Sequence, residues 1–115
     1  MVRRHEEQPV TINQHMRGGE GGIRLEGILT PAEMYEKGRL FSRLTIAPGC
    51  SIGRHTHENE METFYMIKGI AEFDDNGEKV TLRPGDAAYT ASGGSHSIAN
   101  SGAEDVELLA LILFN

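Results

Sequence analysis

One cysteine, Cys50, is all that this 115-residue sequence carries. No intrachain disulfide can form, and a lone thiol implies no compartment. Beside a turn, Cys50 reads as a packed or partly exposed thiol rather than a catalytic one. Basic clusters are missing too. None exceeds Arg3-Arg4, and 11 Lys+Arg face 17 Asp+Glu, a net charge of −6. That balance favours solubility and argues against a nucleic-acid partner. The N-terminus has no apolar core of the signal-peptide kind, and no run approaches membrane-spanning length. A cytoplasmic location without a membrane partner is therefore expected. No segment repeats, and the length suits one domain. A hydrophobic content of 38% in regular runs argues for a folded chain.

Short apolar stretches separated by turn residues dominate what is present. Residues 1–22 read as a polar N-terminal arm, with the glycine-rich Met16-Arg17-Gly18-Gly19-Glu20-Gly21-Gly22 as a loop into the first strand. Residues 23–115 read as one domain. Ile23–Leu29 alternates apolar and polar side chains, as a strand does. Thr30-Pro31-Ala32-Glu33 has the form of a helix start, with a threonine N-cap, proline in the first turn and a glutamate closing a capping box. It predicts one short helix from Pro31 to about Lys37, stopped at Gly38. Leu40–Ile46 is a strand ended by the turn Pro48-Gly49. Asn76-Gly77 marks a tight hairpin, because both residues tolerate the positive φ of a type I′ turn. Val106–Phe114 is nearly all apolar, which suits a strand covered on both faces. One of those covers is expected to be a second subunit, so a homodimer is anticipated. Many short strands with Pro-Gly and Asn-Gly turns indicate an all-β sandwich or barrel.

The stretch Gly49–Gly69 carries the chemistry. Side chains two apart on a strand share a face, so His55 and His57 can aim at one point. Glu62 opens the next apolar run, with Glu58 and Glu60 as competing carboxylates. Two imidazoles and a carboxylate brought together form a first-row transition-metal site with open positions. If Glu62 faces inward, so do Phe64 and Met66, while Tyr65 and Ile67 face out. A second stretch, Pro84–Asn100, adds His96 near another strand. His5 and His15 sit in polar sequence and read as bystanders.

Together the two stretches resemble the paired motifs of the cupin superfamily. Gly49, His55, His57, Glu62 and Gly69 meet the first motif. Gly85, Gly93, His96 and Asn100 meet the second, with Ala91 where the family usually has proline. The resemblance covers roughly residues 40–113. It implies a single-domain jelly-roll barrel (a double-stranded β-helix) and a metal held by His55, His57, Glu62 and His96. Within the first motif, spacing to Gly69 selects Glu62, and Glu60 fits neither allowed interval from His57. Three histidines and a carboxylate suit one divalent ion of Mn, Fe, Ni, Co or Zn, with Mn the first choice.

The sequence further resembles small oxalate decarboxylase-like cupins, the Met-Arg-Gly-Gly-Glu-Gly stretch included. That likeness implies a small anionic ligand such as oxalate, and an enzyme of the lyase or oxidoreductase kind. The decarboxylase pattern has an arginine three residues before the first ligand histidine. Here that residue is Ile52, and no lid segment is evident. Arg54 has the wrong parity to face the metal on an unbulged strand. A general acid or base is needed besides the ligands, and only Tyr65 and Tyr89 offer themselves. A non-catalytic binding or sensing module, and a sugar isomerase, epimerase or dioxygenase, are the alternatives. Arg17 at the pocket mouth is a candidate anion contact.

Overall fold

A computed structural model describes residues 1–115 as ten strands in two antiparallel sheets. The strands are β1 (Val10–Gln14), β2 (Gly22–Leu29), β3 (Gly38–Ile46), β4 (Ser51–Thr56), β5 (Glu60–Lys68), β6 (Ala71–Asp75), β7 (Glu78–Leu82), β8 (Ala87–Thr90), β9 (Ser95–Ala99) and β10 (Val106–Phe114). The larger sheet runs β1-β2-β3-β10-β5-β8 and the smaller β4-β9-β6-β7. No helix is long and apolar enough to cross a membrane.

Alternation along the strands builds the core. On β5, Phe64 and Met66 are buried while Tyr65 and Ile67 are half exposed, as the period of two requires. On β10, Leu108, Ala110 and Ile112 point inward and are buried, and the intervening Leu109, Leu111 and Leu113 are only partly covered. β10 lies between β3 and β5 in the middle of its sheet. Its outer face therefore has less cover than the apolar run Val106–Phe114 suggests. Fourteen buried side chains from both sheets form one cluster, Ile23, Leu44, Phe73 and Ile98 among them.

Two local expectations change. The first concerns the helix expected at Pro31–Lys37, which is a series of turns. Its capping pair does form: Thr30 N–H donates to Glu33 Oε1 at 2.9 Å, and Glu33 N–H to Thr30 Oγ1 at 3.2 Å. The segment only has to reverse the chain between the paired strands β2 and β3. Tyr35 and Glu36 take left-handed φ values of 52° and 57°, which ends any helix after one turn. So short a helix would also have little stability of its own. The second concerns the polar arm, which contains β1, paired with β2 from Val10↔Glu26 to Gln14↔Gly22. By contrast, Asn76 and Gly77 form the anticipated hairpin turn, with φ of 51° and 95°.

Candidate metal centre

Three elements deliver the four side chains. His55 comes from the end of β4, and His57 follows that strand directly. Glu62 comes from the inward row of β5, and His96 from β9. β4 and β9 pair directly, with His55 opposite His96. The register shifts by one residue between Ile52 and His55, a β-bulge that changes parity. It turns both Ile52 and His55 toward the interior although they are three residues apart. Arg54 stays outside and contacts Asp74 at 3.2 Å. A glycine stands in the bulge because of close approach: a Cβ on Gly53 would lie 2.1 Å from the Arg17 carbonyl oxygen. Beyond β4 the chain is clipped to the loop before β9. His57 N–H donates to the Gly94 carbonyl at 2.9 Å and Gly93 N–H to the His57 carbonyl at 2.6 Å.

The result is a triangle of nitrogens. The Nε2 atoms of His55, His57 and His96 lie 3.1 Å from one another. Glu62 Oε1 is 2.9 Å from those of His57 and His96. The three rings meet nearly edge-on, at interplanar angles of 70°, 76° and 81°. Each Nδ1 is occupied away from the centre. That of His55 donates to the Gly53 carbonyl at 2.7 Å. That of His57 meets Glu60 Oε2 at 2.6 Å, and that of His96 meets Thr90 Oγ1 at 2.8 Å. A carbonyl can only accept, so His55 carries its proton on Nδ1 and aims the Nε2 lone pair inward. The carboxylate of Glu60 has the same effect on His57.

This donor set fits a metal ion. Converging imidazole lone pairs beside a carboxylate repel unless a cation or protons sit among them. Nitrogens 3.1 Å apart, viewed at right angles from a shared centre, lie about 2.2 Å from it, close to the range of first-row metal–imidazole bonds. The four residues thus form a group suited to hold one ion. Burial alone would raise the Glu62 pKa, but hydrogen bonds and charge from His57 and His96 outweigh it, and the pKa is lowered. His57 is raised, chiefly by its hydrogen bond to Glu62. His55 is lowered by burial.

Around the ligands lies a shell whose roles the sequence pattern did not assign. Glu60 is buried, but it faces His57 Nδ1 and not the centre. Arg39 holds its carboxylate in a fork, Nε to Oε1 at 2.8 Å and Nη2 to Oε2 at 2.7 Å. That guanidinium, with His57, keeps the Glu60 carboxyl down at about 2 despite its burial. Strand parity was the available signal, since Glu60 and Glu62 fall on the same face of β5 as Phe64. Phe64 stacks on His96 at 5.2 Å, and Phe73 meets it edge-on at 5.4 Å. Asn100 is buried and donates to the carbonyls of Ile46 and Glu104, both at 2.8 Å, so it ties the strand ends together. Gly94 N–H reaches the Ala91 carbonyl at 2.9 Å, so the turn closes without a proline.

A cavity of about 160 Å³ opens above the centre. Leu40, Leu44, Ile52 and Ile112 line its walls, and Asn13, Arg17 and Arg39 are its polar side chains besides the ligands. Tyr65 and Tyr89 lie on the outer face, 50% and 63% exposed, and neither lines the cavity. That overturns them as candidate acids at this site. His5 pairs with Glu26 at 2.6 Å and His15 Nδ1 meets the Gly19 carbonyl at 3.2 Å, both away from the centre. Glu58 is exposed.

Comparison with known proteins agrees with this geometry. The Cupin domain pattern matches residues 42–112. The chain belongs to the cupin family. The Oxalate-binding protein of Thermotoga maritima is 43% identical over 113 residues, covering 98% of this chain and 93% of that one. A crystal structure from Thermotoga maritima, described as a predicted oxalate decarboxylase, superposes with a TM-score of 0.96 at 42% identity, covering all of both chains. KdgF from Halomonas sp., at 21% identity, shares the fold with a TM-score of 0.79 over 100% of this chain and 95% of that one.

Proposed function

We propose that this cupin binds one divalent transition-metal ion through His55, His57, Glu62 and His96, and uses it to hold a small chelating carboxylate. The observation that carries the reading is the triangle of inward Nε2 atoms with every Nδ1 engaged elsewhere. Four protein ligands leave two positions of an octahedron for two ligand oxygens. When bound, the ion supplies positive charge and Lewis acidity there. The protein's own residues orient the imidazoles, exclude water with an apolar wall and limit ligand size. The cavity is smaller than pockets for drug-sized molecules. Likeness to a protein named for oxalate binding supports oxalate as the first ligand to test. Manganese is the ion we expect, to be read by elemental analysis of protein purified without added metal.

Turnover is a separate matter. With Ile52 on the inner face three residues before His55, and no tyrosine in the cavity, no free acid or base lies beside the centre. That favours binding or sensing over rapid decarboxylation as the second reading. Calorimetry on metal-loaded protein tests binding, and formate or carbon dioxide release tests chemistry. Absence of metal after loading, or of binding by any small carboxylate, sinks the first reading. Rapid formate production sinks the second.

We also propose that the partly covered outer face of β10 and β5, with Leu109, Leu111, Tyr65 and Ile67, joins a second copy of this chain as a homodimer. A monomer in sedimentation at micromolar concentration overturns that.

A further inference from the structure

The charged groups that line the cavity can be balanced against one another, and one residue is left over. Arg39 and Glu60 cancel each other in their forked pair. A divalent ion and Glu62 leave one positive charge. Arg17, which lines the same cavity with an exposed side chain and pairs with no carboxylate, adds a second. A dianion neutralises that sum, and a monoanion leaves it half satisfied.

The backbone that carries Arg17 is also held in place, with the side chain exposed at the cavity mouth. The left-handed φ of 55° at Arg17 sits in a turn closed by Gly18 N–H to the His15 carbonyl at 2.9 Å and Gly19 N–H to the Met16 carbonyl at 3.0 Å. That turn is laid against the β4 bulge. A Cβ on Gly19 would lie 2.1 Å from the Ser51 carbonyl oxygen, and one on Gly53 equally close to that of Arg17. Gly53 is the residue whose carbonyl orients His55. The turn bearing Arg17 and the first ligand are therefore fixed to one piece of backbone. In the same cavity, the Nε and Nη2 of Arg39 hold Glu60, and its Nη1 makes no bond to the protein.

We propose that Arg17 is a specificity-determining residue that reads the outer carboxylate oxygens of an anion chelated at the centre, and so restricts the ligand to short dianions. It takes up from the N-terminal turn the charge that Ile52 cannot offer from the barrel wall. The inference rests on the carboxylate-binding reading above.

The test uses the full metal-loaded chain, with calorimetric titration of oxalate and of pyruvate. Pyruvate offers a comparable two-oxygen chelate with one negative charge fewer. Wild type should bind oxalate more tightly. Arg17→Gly removes the side chain and suits the left-handed backbone. It should weaken oxalate roughly 10- to 100-fold, the range for one charge-assisted contact. Pyruvate affinity and metal stoichiometry should hold. Arg17→Lys should retain part of the oxalate affinity. Arg54→Ala, which lies outside the cavity, should match wild type. Unchanged oxalate binding in Arg17→Gly, or equal losses for both anions, overturns this proposal alone. Wild-type protein that binds neither anion overturns it together with the reading beneath it.

Discussion

The inner face of the barrel has two ends that obey the same alternation and hold together by different means. On β5 the inward row is Glu60, Glu62, Phe64, Met66. Its first half is ionised and hydrogen-bonded, and its second half is apolar and packed. β9 repeats the division, with His96 at one end and Ile98 at the other. At the apolar end, burial is favourable side chain by side chain. At the polar end, each buried group is tolerated only because it has a partner. His96 joins the two, since Phe64 and Phe73 pack on its ring. The packed half is thus the floor on which a ligand ring is held, and the two halves should fail differently when cut.

The largest effect is expected where the polar end loses a ligand. His96→Ala should reduce metal affinity at least about 100-fold, beyond the 10- to 100-fold typical of residues behind the ligands. An ion present at 1,000 times its dissociation constant stabilises the native state by about 4 kcal/mol. Chelation of wild type should therefore lower Tm by about 10 °C or more, and the variant should already melt near that lower value. Elemental analysis and thermal unfolding read both. A variant that keeps one ion per chain with unchanged Tm separates His96 from the centre.

Next comes the packed end. Phe64→Ala should cost about 3–5 kcal/mol in denaturant unfolding, because the side chain is buried and the space cannot collapse fully. Its effect should appear in the metal-free protein, whereas that of His96→Ala is expected mainly when metal is present. Equal losses with and without metal for both variants would remove the distinction between the two ends.

Glu60→Gln should lie between a ligand and a bystander. The amide keeps the size but loosens both the forked Arg39 contact and the hold on His57 Nδ1. Metal affinity should fall roughly 10- to 100-fold. Unfolding of the ion-free protein should also lose about 1–3 kcal/mol, because a neutral amide replaces a buried carboxylate bonded to both Arg39 and His57. Unaltered metal affinity would make Glu60 a buried anchor for Arg39 with no bearing on the centre.

Most of the polar end was legible in the sequence because its residues come in fixed spacing. His55 and His57 follow strand periodicity, and the motif glycines separated Glu62 from its neighbours. The same method undervalued Glu60, since motif spacing asks which carboxylate reaches the ion and not which one braces a ligand. Arg39 was out of reach, because its pairing with Glu60 spans 21 positions and depends on which strands are neighbours. Ile52 and Arg54 needed the bulge. Parity counted along an unbroken strand does not show that Ile52 and His55 share a face. At Pro31–Lys37 the local signal was real, and the capping bonds exist. Reversal between β2 and β3 decided the backbone instead. Burial of the outer β10 face depends on what lies across it, which sequence pattern alone does not encode.

The smallest effect is expected at Arg3 and Glu33, which repeat the pairing of Arg39 and Glu60 far from any ligand. Arg3 Nη1 and Nη2 reach the two carboxylate oxygens of Glu33 at 3.0 and 2.9 Å. The Arg3 guanidinium, with the Thr30 backbone, holds the Glu33 carboxyl at about 2, below its ordinary 4.5. A carboxyl lowered on folding contributes stability above its unfolded value, and that contribution is lost as pH falls from about 4.5 toward 2. Arg3→Ala should return the Glu33 midpoint toward 4.5 in a carbon-detected NMR titration. It should also remove a shallow part of the acid-range slope of stability. Because the pair is solvated, about 0.5 M salt should shrink the effect. Metal affinity should not move, in contrast to Glu60→Gln. If Arg3→Ala weakened metal binding as much as Glu60→Gln, the outer pair would be coupled to the centre, and bracing of His57 would no longer distinguish Glu60.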